Sequence, residues 1–360
     1  MLNEIIEEDL EYINTHFYEK SALRDSTILI TGCGGFLGYY FINYFIFYRE
    51  EIGIKKIIGL DNFILEKPKW LDELILDNPN FLEVKKFDII DDNLNDFSNL
   101  NQVDYVLHMA SIASPVFYRK YPIETLDANV WGLRRLLDFY KMKKINGFLM
   151  FSSSEVYGDP DPKFIPTSES YLGNVSTIGP RACYDEAKRF SETLCYLYSK
   201  KYNMPISMVR PFNNYGPGMK LNDQRVPADF ALAIINNEQI RIFSDGSPTR
   251  TFCYVSDAII GYLKALTFKK FEIFNIGIDK PEITITELAE IYVEKGKKIF
   301  NFSRGYSLSK PLESNYMTNN PNRRCPNIAL ARKELFYNPS IKVHEGVERF
   351  LKFLSFGDKF

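Results

Sequence analysis

The sequence predicts an α/β fold, a doubly wound parallel sheet with a smaller C-terminal α/β lobe for binding substrate. Three observations predict it. Short apolar runs alternate with helix-period segments between residues 27 and 211, the pattern of a parallel sheet covered on both faces. Glycines 32, 35 and 38 follow the first run and open the next helix, the turn of a Rossmann-type unit. Each later run ends in a polar cluster, and ligands of such sheets sit beyond the carboxyl ends of the strands. The resulting division is a helical extension over 1–24 and a Rossmann domain over 25–211 with a returning segment near 240–268. The substrate-binding lobe is assembled from 212–239 and 269–360.

Taken in order, Leu2, Ile5, Ile6, Leu10, Ile13 and Phe17 recur at helical spacing between acids and predict an amphipathic helix. It is expected to pack on its own domain, the alternative being a second subunit. A buried strand over 27–30 runs into the glycine turn and a helix rich in Tyr, Phe and Ile. Further strands start at Lys56 and end at Asp61, start at Phe81 and end at Asp88, and start at Tyr105 and end at Met109-Ala-Ser. A helix follows over 123–142, then a strand over 148–151 that ends in Ser152-Ser-Ser-Glu. The helix carrying Tyr184 and a strand over 206–210 complete the alternation. After Pro211 the texture changes to a turn-rich loop, a helix over 226–236, a strand at 240–243, a helix over 256–267 and mixed structure to Phe360. Residues 297–320 are polar and irregular and read as a surface loop.

Composition narrows the function. The chain has 360 residues, 45% hydrophobic and 25% charged, with a net charge of −2. That is enough for a sizeable core and gives no basic excess for nucleic acid or an anionic membrane. The five cysteines form no C-x-x-C pair and the three histidines are scattered, so neither a metal site nor a disulfide framework is expected. Five free thiols fit a reducing cytoplasm. The acidic start is no secretory signal, and Phe36–Tyr48 is too short and too polar to span a bilayer.

The glycines let the backbone approach a pyrophosphate at a helix N-terminus, with Phe36 and Leu37 in the same turn. Asp61 ends the next strand, where a carboxylate accepts from the adenosine ribose and repels a 2′-phosphate. No arginine follows in Asn62-Phe63, so the cofactor expected is NAD. Asp88 and Ile89 are placed to present a carboxylate and a backbone N–H to adenine. Tyr184 and Lys188 stand four apart, on one helix face. An ammonium there is expected to pull the phenol down from its usual pKa near 10; a three-unit shift needs roughly 4 kcal/mol. Tyr184 then serves as a base, with Ser153 steadying the oxyanion and Glu155 adding an acid/base group in the same cleft.

Seven stretches carry a family resemblance: Thr31-Gly-Cys-Gly-Gly-Phe-Leu-Gly, Leu107-His-Met-Ala-Ser, Asn129-Val-Trp-Gly, Ser153-Ser-Glu-Val-Tyr-Gly, Tyr184-Asp-Glu-Ala-Lys, Arg210-Pro-Phe-Asn-Asn-Tyr-Gly-Pro and Arg250-Thr-Phe-Cys-Tyr-Val-Ser-Asp. In this order the chain resembles the extended short-chain dehydrogenase/reductases that act on nucleotide sugars. The resemblance implies a triad of Ser153, Tyr184 and Lys188, with Tyr184 taking the proton of the sugar C4 hydroxyl as hydride passes to NAD. It implies Asn129 as the structural active-site Asn, placed with the substrate contacts, and a homodimer built on the helix over 123–142 and the Tyr184 helix. Ala113-Ser-Pro-Val-Phe-Tyr-Arg, Ser154-Glu-Val-Tyr-Gly-Asp-Pro and Gly173-Asn-Val-Ser-Thr-Ile-Gly-Pro-Arg-Ala-Cys-Tyr-Asp-Glu are similar to the UDP-glucuronate decarboxylases. This implies a UDP-sugar substrate, a 4-keto sugar acid that loses carbon dioxide, and substrate contacts from Tyr118, Asn213, Arg225 and Arg250. Three departures bear on substrate identity: Gly218 where the decarboxylases have Arg, Ile112 where they have Pro, and Arg324-Cys-Pro-Asn where they have Arg-x-Pro-Asp. The alternatives are a nucleotide-sugar 4-epimerase, a 4,6-dehydratase, against which Ser154 stands where the dehydratases place an Asp, and a non-catalytic NAD-binding module.

Overall fold

The computed structural model describes residues 3–309 and 321–357. Leu2, the 310–320 part of the expected loop and the last residues to Phe360 lie outside them.

Seven strands form the central sheet: β1 Thr27–Thr31, β2 Lys56–Asp61, β3 Leu82–Lys86, β4 Tyr105–His108, β5 Gly147–Phe151, β6 Ile206–Pro211 and β7 Glu272–Ile276. Their spatial order is β7-β6-β5-β4-β1-β2-β3, and every neighbouring pair is parallel. The chain leaves β1 toward β2 and β3, then returns to lay β4 on the other side of β1. That reversal opens a crevice over the carboxyl ends of β1 and β4. All five residues of β1 and of β5 are buried, as strands covered on both faces require.

The helices used below are α1 Glu4–His16, α2 Phe36–Phe47, α3 Leu133–Tyr140, α4 Ala182–Tyr202, α5 Val226–Ile235, α6 Val255–Leu266, α7 Ile285–Phe300 and α8 Val343–Ser355. Helix α2 is apolar nearly all round, and the reason is that α1 and α6 both lie against it. Helix α1 also touches α8. Its face buries Ile5, Ile6, Leu10 and Ile13, and among them a charge, Asp9. Asp9 accepts from the hydroxyls of Tyr40 and Tyr254, both at 2.8 Å, and from the Arg349 guanidinium at 2.8 and 3.1 Å. Burial pushes its carboxyl up to about 6 against the pull of Arg349. No helix among the described residues is long and apolar enough to cross a membrane.

Three expectations are corrected. The seventh strand, β7, falls where the sequence was assigned to the second lobe; it pairs with β6 in the register Glu272↔Ser207. The strand Ile240–Ile242 lies outside the central sheet and pairs with Tyr306–Leu308, so the segment that returns to the sheet is α6 plus β7. Residues 297–300 close helix α7, whose start is fixed by a Thr284/Glu287 capping box and whose end is the left-handed Asn301. In the smaller lobe, Thr249–Arg250 pairs with Ile283–Thr284 and with Arg323–Arg324. The last pairing sets Arg324 directly beside Arg250.

Candidate active site

A cavity of about 720 Å³ runs from the glycine turn across the ends of β1, β4 and β5 to the smaller lobe. Its floor begins at Gly32, in a left-handed conformation at φ +73°, where a Cβ would lie 2.8 Å from the backbone nitrogen of Ala110. Gly35 caps α2. A Cβ on Gly38 would meet the carbonyl oxygen of Cys33 at 2.2 Å, so only glycine lets α2 start this close to β1. Gly35 N–H donates to the carbonyl of Gly32 at 3.2 Å, and Phe36, Leu37 and Gly38 of the helix's first turn line the cavity.

Asp61 ends β2 at the same wall. Its carboxylate accepts from the backbone N–H of Gly34 at 2.9 Å and of Phe63 at 2.8 Å, and burial pushes it upward. Asn62 donates to Asp88 at 2.9 Å, and Asp88 accepts from Ile90 N–H at 2.8 Å; with Ile89 these line the cavity. A left-handed glycine, a tight helix start and an anchored carboxylate at the end of the second strand fit a dinucleotide with a free adenosine ribose.

At the far end stand Ser153, Tyr184 and Lys188. Ser153 caps the short turn over 154–157, accepting from Glu155 N–H at 3.2 Å, and hydrogen-bonds the Tyr184 phenol. Lys188, one turn along α4, donates to the carbonyl of Phe151 at 2.7 Å and lies 5.6 Å from the Tyr184 ring centre. The electrostatics differ from the sequence expectation. Burial pushes Tyr184 up to about 12, and burial pushes Lys188 down to about 7. Counting charges on a helix face omits this desolvation, which opposes the charged form of both groups. As pH rises, Lys188 is therefore the member of the pair that loses its proton first.

Tyr118 is buried and stacks on Tyr184, ring centres 5.3 Å apart and 12° from parallel. Its hydroxyl has no partner among the described residues. Glu155 is gripped by Arg181 and by both terminal nitrogens of Arg324, one of them at 2.6 Å. The two guanidiniums hold its carboxyl well below the usual range despite burial. That makes Glu155 a fixed anion in this state and a weak proton donor. Arg250 donates to the carbonyls of Thr249, Asn322 and Pro321 at 2.8, 3.0 and 2.5 Å. Asn213, at φ +42°, donates to Thr251 O at 2.9 Å. Arg225 pairs with Asp223 at the cavity lip and lies 5.8 Å from the Phe36 ring.

Of the site residues expected from sequence, Asn129 alone is not brought to the cavity wall. It is buried in a π-type turn over Ala128–Gly132, donates to Thr125 O at 2.7 Å, and its own carbonyl accepts from Ser191. There it holds the start of the helix run against α4 through Ser191. Sequence reasoning missed Arg181 and Arg324 as site residues. Both lay within stretches that had been singled out, but neither motif names its partner, Glu155, which is 26 and 169 residues away.

A family model described as the NAD dependent epimerase/dehydratase family matches residues 28–277. UDP-glucuronic acid decarboxylase 1 of Arabidopsis thaliana is 35% identical over 322 residues, 89% of this chain and 68% of that protein. UDP-glucuronic acid decarboxylase 6 of the same plant is 33% identical over 338 residues, covering 93% and 89%. The decarboxylase 1 of Danio rerio is 33% identical over 328 residues, covering 91% and 72%. Among solved structures, a UDP-glucuronic acid 4-epimerase from Bacillus cereus in complex with NAD superimposes with a TM-score of 0.74 at 25% identity, over 91% of this chain and 96% of that one. A UDP-glucose 4-epimerase from Thermotoga maritima reaches 0.77 at 23% identity, over 92% and 99%, and shares the fold.

Proposed function

The chain belongs to the NAD dependent epimerase/dehydratase family, and from that premise we propose that it decarboxylates UDP-glucuronate to UDP-xylose. The observation that carries the reading is the likeness at 33–35% identity to UDP-glucuronic acid decarboxylases along nearly the whole chain. The charge lining the cavity is consistent with it. Gly32, Gly35, Phe36, Leu37, Gly38, Asp61, Asn62, Asp88 and Ile89 would hold NAD, which would supply the reversible hydride acceptor that C4 oxidation needs. Tyr184 and Lys188 take the C4 hydroxyl proton as a pair, and Ser153 holds the oxygen while it becomes a carbonyl. The ketone is then β to the C6 carboxylate. The C5–C6 bond breaks, its electron pair enters the C4 enolate, carbon dioxide leaves, and a proton adds at C5. Tyr118, Asn213, Arg225 and Arg250 are assigned to substrate contact.

The test is to incubate the purified protein with UDP-glucuronate and NAD and to weigh the product. Carbon dioxide release with a pentose product is the expected result. An unchanged mass with inverted C4 sinks the reading in favour of an epimerase, and loss of water in favour of a dehydratase. A homodimer in the cytoplasm goes with the proposal. Ile123, Trp131, Phe190 and Leu197 put large apolar groups on the outer faces of the helical run over 122–140 and of α4, with Trp131 54% and Phe190 50% exposed. Apolar surface of this kind is covered when two copies pack these helices together.

A further inference from the structure

One segment of the smaller lobe, residues 216–225, crosses to the Rossmann domain and touches it at three places. At its start Gly218 is left-handed at φ +84°, and a Cβ there would lie 2.9 Å from Cδ1 of Tyr39 and 3.5 Å from Cδ2 of Phe36. At this position, where the decarboxylases have Arg, glycine lets the segment lie directly on the first turns of α2. Further along, the carbonyl of Asp223 accepts from the Ser114 hydroxyl at 2.6 Å. Between the two, the half-buried Lys220 donates from Nζ to the carbonyl of Leu65 at 2.6 Å. Leu65 belongs to the loop that follows Asp61, and residues 62–66 line the cavity there. Phe63 and Glu66 in that loop are left-handed at φ +55° and +76°, a conformation that non-glycine residues rarely adopt. The bond from Lys220 reaches the carbonyl between them. Asp61 itself is pushed up by burial, and its two backbone bonds and the charge of Lys220 draw it back, so the ammonium stands within electrostatic reach of that carboxylate. The same segment ends in Arg225, paired with Asp223 at the cavity lip and assigned above to substrate.

We propose that Lys220 is a cofactor-positioning residue: it makes residues 216–225 a strap that holds the loop after Asp61 shut over NAD and that is fixed further when a nucleoside diphosphate reaches Arg225. The proposal rests on NAD and a UDP-sugar as the two ligands, and it stands whether the keto sugar is decarboxylated or epimerised. The two ligands then share one ordering cost. Whichever binds first fixes the strap, and the other binds to a segment already in place, which couples the two sites.

The experiment loads the protein with radiolabelled NAD, chases with unlabelled NAD and follows the label retained, with and without saturating UDP. In the native protein UDP slows release by about fivefold or more, the scale of coupling between two sites. Lys220→Met releases the label about tenfold faster without UDP, the scale of one charge-assisted hydrogen bond, and UDP no longer slows it. Lys220→Arg, which keeps a cationic donor, retains the effect of UDP. Ser114→Ala unties the strap at its other end with every charge kept, and weakens the effect of UDP. A native rate that UDP leaves unchanged overturns the proposal, as does a Lys220→Met rate equal to the native one. So does faster release from Lys220→Met that UDP still slows, since Lys220 would then hold NAD without linking it to the other ligand. Should Lys220→Met not fold, Ser114→Ala decides, and an undiminished effect of UDP there overturns the proposal. Failure of the reaction reading shows differently, as a native protein that binds NAD and UDP but releases no carbon dioxide from UDP-glucuronate.

Discussion

At the scale of single residues, the pair of Tyr184 and Lys188 makes the sharpest prediction. With Lys188 pushed down to about 7 and Tyr184 up to about 12, the pair must lose one proton before it can accept one from the sugar. kcat/KM should fall about tenfold per pH unit below about 7 and level off above it. Lys188→Met should move that limb upward, toward the phenol's own range, in a pH–rate profile from 5.5 to 9.5. An unmoved limb would mean that another group sets it. Tyr184→Phe should lose about 10²–10⁴-fold in turnover while the purified protein still binds NAD; a non-catalytic NAD-binding module would have no turnover to lose. The sequence made the pair legible through spacing alone. The direction of its electrostatics was not legible, because desolvation depends on what covers the residues. The same limit hid Arg181 and Arg324, since an arginine in a motif does not declare which carboxylate it will grip.

Elements were easier to read than charges. Six of the strands in the central sheet announced themselves by apolar runs ending in polar clusters, and the helices around them by period. Strand β7 did not. Its sequence Glu-Ile-Phe-Asn-Ile mixes polar and apolar residues, and it joins the sheet at the edge that β6 offers. The expected loop over 297–320 began inside α7 because Lys297 and Lys298 made its last turn look like surface loop, although cations favour a helix C-terminus. The start of α2 carries its own test. Gly38→Ala places a methyl group 2.2 Å from the Cys33 carbonyl oxygen, and a backbone atom cannot turn aside as a side chain does. It should cost about 1–3 kcal/mol in urea unfolding and should weaken NAD binding by tilting the helix start. Trp131→Glu belongs to the same scale. If the outer faces of the 122–140 run and α4 meet across a dimer, sedimentation velocity should give a monomer for this variant and a dimer for the native chain.

For the whole molecule, buried carboxyls set the response to acid. Asp9 and Asp257 are pushed up by burial to about 6 and Asp229 to about 7, each from an ordinary 3.8. A raised folded value means the native state holds more protons than the unfolded chain between about 4 and 6–7. Stability contributed by these groups therefore grows as pH falls through that window. His108 works the other way: burial pushes it down to about 3, so its contribution falls as pH drops below 6.5. Three groups outweigh one, and each net proton is worth about 1.4 kcal/mol per pH unit. Urea midpoints should rise from pH 7.5 to 5 and fall again below about 4, where Glu155 and Glu348, held low by their cationic partners, must take protons. Asp9→Asn should flatten the rise, whereas Asp9→Ala should cost about 1–3 kcal/mol at pH 7 by leaving the buried hydroxyls of Tyr40 and Tyr254 without their acceptor.

The bond between Asp9 and Arg349 joins residues 340 apart, and that separation has a consequence in time. A ribosome adding about 5–20 residues per second needs roughly 20–70 s between exposing one and exposing the other. For most of that interval α1 has emerged, apolar face and carboxylate together, while two of the three helices it packs on, α6 and α8, are not yet made. The nascent chain must hold that helix loosely or have a chaperone hold it. Helix α1 is thus made long before it can be locked in place.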